Sequence, residues 1–140
     1  PDTMSKGWDA GCYRTCSYVT NIACTAGNPI PLRSISQAEY ASLRRHYLGE
    51  NGVIQEGAAL ALLAQTAQFY AGDGFVLTAT EENGTAHVHE LLGNADPAGI
   101  TAALGADKGC IRTPGNGTPF AMYCPFESVP APGYFGLALD

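Results

Sequence analysis

Charge is what this sequence has least of. Charged residues fill 14% of its 140 positions, against about 25% in an ordinary soluble domain. The basic sign is the scarcer one: 7 Lys and Arg stand against 13 Asp and Glu, for a net charge of −6. Without a basic face the chain has little to lay on a phosphate backbone or an anionic membrane, which argues against nucleic acid and membrane partners. No apolar run approaches the roughly 18 residues of a membrane-spanning helix. No signal peptide is visible. So few charges also point to surface that a partner or a further domain covers.

A paired cysteine framework is missing as well. The 5 cysteines are Cys12, Cys16, Cys24, Cys110 and Cys124. A secreted disulfide scaffold favours an even count, and Cys12-x3-Cys16 is not the usual zinc spacing. The reading is reduced, cytoplasmic thiols packed as small hydrophobes. A disulfide among the first three, or a metal, stays open as the alternative. Cys110 and Cys124 sit in apolar strands, so core packing is expected of both; a nucleophile would need a neighbouring base.

What is present is enough apolar residue for a core, 46% of the chain. The length suits one domain, or one plus a fragment of another. The first residue is Pro1, so the numbering is expected to start inside a longer chain or at a tag remnant, with Met4 as another start. There is no repeat period and no low-complexity tract.

The clearest local signal runs from Gly74 to Gly105. Phe75–Thr80 is a β-branched apolar run, Asn83-Gly84 is a hairpin turn signature, and Ala86–Leu92 is the returning strand. A helix follows over about 97–104. Upstream, Tyr13–Thr25 is rich in β formers, and Ala26–Pro31 is a linker broken by Gly and Pro. Ser36 with Glu39 makes a capping box, and Tyr40, Leu43, Tyr47 and Leu48 predict a helix over 37–48. The Ala, Leu and Gln of 56–70 predict a second helix. Strands are expected at 110–113, 120–126 and 134–139. This order reads as α+β, with one mixed, mostly antiparallel sheet flanked by helices.

Few residues announce chemistry. His87 and His89 alternate onto one strand face, with Glu90 expected on the other. Without a third ligand they are read as polar lining and not as a metal site. His89 or Glu90 could serve as a general base. Arg44-Arg45-His46 is the one basic cluster and is read as a solvated helix face. Gly115-Asn116-Gly117 lacks the Lys-Ser/Thr of a phosphate loop and reads as a turn.

The element order and several segments resemble the GNAT-type N-acetyltransferases. More closely, the chain is similar to the carboxy-terminal part of two-domain GNAT-like proteins of clostridial bacteria. Trp8–Cys16 looks like the superfamily's late Tyr-Glu-x-x-Gly-Tyr segment. Arg112–Gly115, Pro119–Tyr123 and Tyr134–Asp140 look like the tails of such chains. The resemblance implies that residues 1–32 are a strand and linker left from a preceding domain, and that 33–140 form a GNAT-like domain. It implies relatives that transfer acetyl from acetyl-CoA to an amine.

By the same resemblance the cofactor would lie near Leu91, Leu92, Gly93, Asn94 and Ala98. The family's diphosphate loop has a basic residue and a Gly-x-Gly/Ala pair ahead of a helix. Leu92–Gly99 lacks the basic residue and that pair. Asp96 brings a negative charge there, and Pro97 lacks an N–H. Read without a ligand, Asp96 is an N-cap and Pro97 the first helical residue. Trp8 stands where the family keeps the Tyr that serves as its general acid. The implied function is thus a truncated or non-catalytic relative that binds acetyl-CoA weakly. Its partner would be a catalytic domain or a second copy. The rivals are an interaction domain without cofactor and a small-ligand module using the old acyl-CoA cleft.

Overall fold

Asn83 and Gly84 set the turn about which the sheet is built. Their φ angles are +53° and +76°, the left-handed pair that a two-residue hairpin needs to match strand twist. In the computed structural model, residues 14–50, 52–124 and 130–134 are described. Among these residues ten elements occur in order: β1 (Arg14–Thr25), β2 (Arg33–Ser34), α1 (Gln37–Tyr47), α2 (Ala58–Leu63), β3 (Gln68–Gly72), β4 (Phe75–Glu82), β5 (Thr85–Gly93), α3 (Pro97–Ala103), β6 (Lys108–Pro114) and β7 (Thr118–Tyr123).

The described strands form one 7-stranded sheet in the order β2-β3-β4-β5-β6-β1-β7. The predicted hairpin β4–β5 lies at its centre. Every pairing is antiparallel except β5 with β6, which run parallel because α3 carries the chain across between them. The class is α+β with a mixed sheet, as the element order predicts. β1 lies between β6 and β7 in this same sheet.

Each face buries its own core. On one face α1 and α2 press Tyr40, Leu48, Leu60 and Leu63 onto Phe69, Ala71, Val76 and Leu92. The Tyr40 and Phe69 rings stack with centroids 4.6 Å apart. On the other face α3 sets Ile100 against Phe75, Leu77, Ala79, Val88, Leu91 and Ile111, with Ile30 and Leu32 of the linker closing the edge. Gly109 permits α3 to sit this close, since a Cβ there would come within 2.1 Å of Thr101 Oγ1.

Two local expectations change. The helix predicted over 56–70 holds only Ala58–Leu63, and Gln68–Gly72 is strand β3. Phe69 and Ala71 pair with Thr78 and Val76 of β4; the strand preference of Phe69 and Tyr70 and pairing on a free strand edge outweigh the helix preference of Gln and Ala. The capping box forms by half. Ser36 Oγ accepts from Glu39 N at 3.1 Å, while the Glu39 carboxylate takes Arg33 Nη1 at 2.7 Å. The strand expected at 134–139 falls on residues outside the described set, apart from Tyr134.

Candidate functional site

Arg44 lies on the apolar stripe of α1, four residues after Tyr40 and four before Leu48, and it is buried. Its place corrects the expectation of a solvated basic cluster for Arg44; Arg45 and His46 are exposed, Arg45 in a pair with Glu56. Opposite it, Glu90 of β5 is fully buried too. Arg44 Nε donates to Glu90 Oε1 at 2.7 Å and Nη2 to Oε2 at 3.1 Å, a forked pair. The Tyr40 hydroxyl donates to Oε1 at 3.0 Å, and the Tyr134 hydroxyl also bonds this carboxylate. Arg44 Nη1 donates to Val53 O at 2.6 Å, and Val53 N donates to Tyr134 O at 3.0 Å. The chain of contacts closes on itself and ties residues 53 and 134 to the sheet.

The electrostatics follow from burial. Burial, then the Glu90 charge and its hydrogen bond, push both tyrosine hydroxyls far above their usual titration range. For Arg44 burial works against the charge, but the hydrogen bonds and attraction of Glu90 prevail and raise its pKa. Glu90 is therefore held as an acceptor by Arg44, Tyr40 and Tyr134. It is not placed to act as a general base.

Glu90 reaches α1 because of a bulge. Thr78 pairs with Glu90, but the adjacent Ala79 pairs with Val88, so His89 is the extra residue. Strict alternation would put Glu90 opposite His87 and His89. The bulge turns it to their side of the sheet instead, which corrects the expected opposite placement. The signal for this was not local: no Gly or Pro marks the position.

Beside the bulge the β5–β6 ladder stops at Val88 and Ile111. Past it the strands are joined by a side chain, Thr113 Oγ1 donating to Leu91 O at 3.0 Å. A groove of about 150 Å³ opens here, lined by Asn21, His87, Val88, His89, Cys110, Ile111 and Arg112. His89 Nε2 lies 3.0 Å from Thr80 Oγ1, and Arg112 Nε donates to Asn21 Oδ1 at 3.4 Å. Burial, then the neighbouring His87 and Arg112, lower the pKa of His89. Cys110 is exposed in this groove and not packed in the core as expected, because it stands on the side of β6 away from α3. Cys24 is half-buried on the other side with its Sγ 3.2 Å from Thr101 Oγ1, and Cys124 is half-buried. Among the described residues no group of three or more His, Cys, Asp or Glu is arranged to hold a metal ion.

The residues that the resemblance marks for a cofactor lie at the end of β5 and the start of α3. Leu91 and Leu92 are buried on opposite faces, one in each core. Gly93 has φ +93°, and a Cβ on it would meet Gly74 O at 2.2 Å. Asn94 N donates to Gly74 O at 3.1 Å, and Ala98 O accepts from Gly27 N at 3.0 Å. Asp96 caps α3: its Oδ2 accepts from Gly99 N at 3.0 Å, with Pro97 in the first turn. The linker then lies over that turn, Ile30 N reaching Gly99 O at 3.4 Å. The start of α3 is thus capped from its own sequence and covered by residues 27–30.

No protein-family model matches this chain, and no curated protein matches it in sequence. Among solved structures, the crystal structure of a GCN5-related N-acetyltransferase from Kribbella flavida aligns with 75% of this chain, at 12% identity and a TM-score of 0.46. The aligned part is 32% of that protein's own length. No helix among the described residues is long and apolar enough to cross a membrane.

Proposed function

We propose that this chain is a GNAT-like α+β domain that pairs with a catalytic domain or with a second copy of itself and does not transfer acetyl groups alone. One observation carries the negative half of this reading: Asp96 Oδ2 takes the Gly99 N–H at the start of α3. The sequence resemblance puts the acetyl-CoA diphosphate at that helix start. A diphosphate there needs free N–H groups and no opposing charge. Asp96 supplies a carboxylate, Pro97 has no N–H, and the linker lies over the rest of the first turn. The parted ends of β5 and β6 are bridged by Thr113, so the place for an extended pantetheine arm is taken as well. Trp8, standing for the family's general-acid Tyr, lies outside the described residues, and an indole N–H is far too weak an acid to protonate a leaving thiolate.

Calorimetry of the chain with acetyl-CoA, alongside an acetyl-transfer assay on simple amines, tests the reading. The expected outcome is no saturable heat below about 1 mM and no transfer. Binding at about 1 µM or tighter would overturn it and make the chain an enzyme candidate.

A further inference from the structure

We propose that Cys110, with His87 as its base, is a nucleophilic thiol site that takes up half of a small-molecule disulfide and holds it as a mixed disulfide. The inference stands apart from the acetyltransferase question, because this thiol lies on the side of β6 away from α3.

The first argument is register. Cys110 of β6 and His87 of β5 are partners in the parallel ladder. Neighbouring strands lie about 4.8 Å apart, and residues opposite each other share a face. Both line the groove of about 150 Å³ between these strands. Thiol and imidazole therefore stand side by side at one opening. A cysteine nucleophile needs such a neighbour to take its proton.

The second argument is access. Cys110 is exposed, whereas the Cys24 sulfur sits on the other face 3.2 Å from Thr101 Oγ1. On its far side Cys110 pairs with Ala23 of β1, whose methyl group is too small to cover a sulfur. The His89 ring is engaged, its Nε2 lying 3.0 Å from Thr80 Oγ1. Among the described residues the His87 ring has no such hydrogen bond, so a ring nitrogen is open to the thiol proton. The titratable and charged groups around the pair, among the described residues, are His89 on β5 and Lys108 and Arg112 on β6. β1 brings Asn21 and Ala23, and β4 brings Thr80 opposite His87. Glu90 is turned under α1 and matched by Arg44.

The third argument is the chemistry itself. His87 takes the S–H proton, and the Cys110 thiolate attacks one sulfur of R–S–S–R. The new Sγ–S bond forms as the old S–S bond breaks. The released thiolate takes the proton back from the imidazolium and leaves as R–SH. Cys110 is oxidised, half of the reagent is reduced, and a second thiol reverses the step. An unassisted thiol is only about a few per cent thiolate at neutral pH, so a base beside it raises the reactive fraction about tenfold or more. Size limits the reagent: about 150 Å³ is the room of a few water molecules, each about 30 Å³ in the liquid, which admits one short R–S arm.

The test is incubation of the whole chain with bis(2-hydroxyethyl) disulfide, a neutral probe, over a range of pH. Peptide mass mapping follows each cysteine separately. Cys110 should form its mixed disulfide at least about tenfold faster than Cys24, and His87→Asn should slow it about tenfold at neutral pH. A base role and a structural role differ in the pH profile: rates of wild type and variant should converge at alkaline pH, where the thiol ionises unaided. Arg45→Gln, on α1, should leave the rate unchanged. If His87→Asn does not fold, His87→Gln makes the same comparison. Modification of Cys110 no faster than of Cys24, a variant rate equal to that of wild type at neutral pH, or an equal slowing at every pH would overturn the proposal.

Discussion

Val88 and Glu90 stand two residues apart on β5 and face opposite sides of the sheet. Val88 packs beside Leu77 and Ile100, and Glu90 is bonded by Tyr40 and Arg44 of α1. A regular strand puts residues two apart on one face. The bulge at His89 breaks the alternation once, and so decides which core receives an acid.

Removing one partner of the Arg44–Glu90 pair leaves the other buried without its counter-charge. Glu90→Ala or Arg44→Ala should cost about 3–5 kcal/mol in denaturant unfolding. Replacing both at once, as Arg44→Met with Glu90→Leu, should cost clearly less than the sum of the single changes. A single change costing under about 1 kcal/mol would show that the pair is hydrated and not a buried contact.

Tyr40 and Tyr134 titrate higher in the fold than in the unfolded chain. Their contribution is complete below the unfolded tyrosine value of about 10 and is lost as pH rises beyond it. Stability should therefore fall on the alkaline side, above about pH 10. Tyr134→Phe should shrink that fall and lower stability at neutral pH by about 1.5–3 kcal/mol, the range for a hydrogen bond to a charged group. Thermal melts from neutral pH upward, on both proteins, make the comparison.

His89 has the opposite sign. Its folded pKa is depressed, so its contribution is present above the unfolded value of about 6.5 and is lost as pH falls through the folded pKa. Melting temperature should decline on acidification from neutral, and His89→Asn should flatten the part of the decline nearest neutrality. An unchanged slope in the variant would place the acid sensitivity elsewhere.

Asp96→Ala removes the cap of α3 and should destabilise by about 0.5–2 kcal/mol. Gly99→Ala should be damaging for a different reason, because its Cβ would lie 2.6 Å from Ile30 Cγ2 and 3.0 Å from Asn28 O. Chemical unfolding of the two variants, with wild-type stability in both, would contradict the closed helix start.

Cys110 is exposed and Cys24 half-buried with Thr101 beside it. Brief alkylation followed by peptide mass mapping should modify Cys110 well before Cys24. Equal rates would mean that the groove side of β6 is covered.

The sequence by itself determined the elements whose cause is local. Asn83-Gly84 forces its hairpin because few residues accept two positive φ angles in succession. Ser36 and Asp96 start α1 and α3 because their side chains satisfy N–H groups within the same turn. The mixed sheet followed from the order of elements, with a helix between β5 and β6. Tertiary structure decided the rest. Gln68, Phe69 and Tyr70 follow directly on a helix-forming Ala, Leu and Gln tract, yet they became strand because Phe and Tyr favour strands and β4 offered an edge to pair with. Arg44 read as surface because a charge near Arg45 and His46 is normally solvated; Glu90, 46 residues away in sequence, offsets the cost of burying it. The bulge at His89 has no local mark, and without it neither that pairing nor the side on which Glu90 stands could be read. Local signals report the energies of neighbouring residues in the chain. Which acid meets which base, and where two parallel strands part to leave a groove, depends on contacts that only folding brings together.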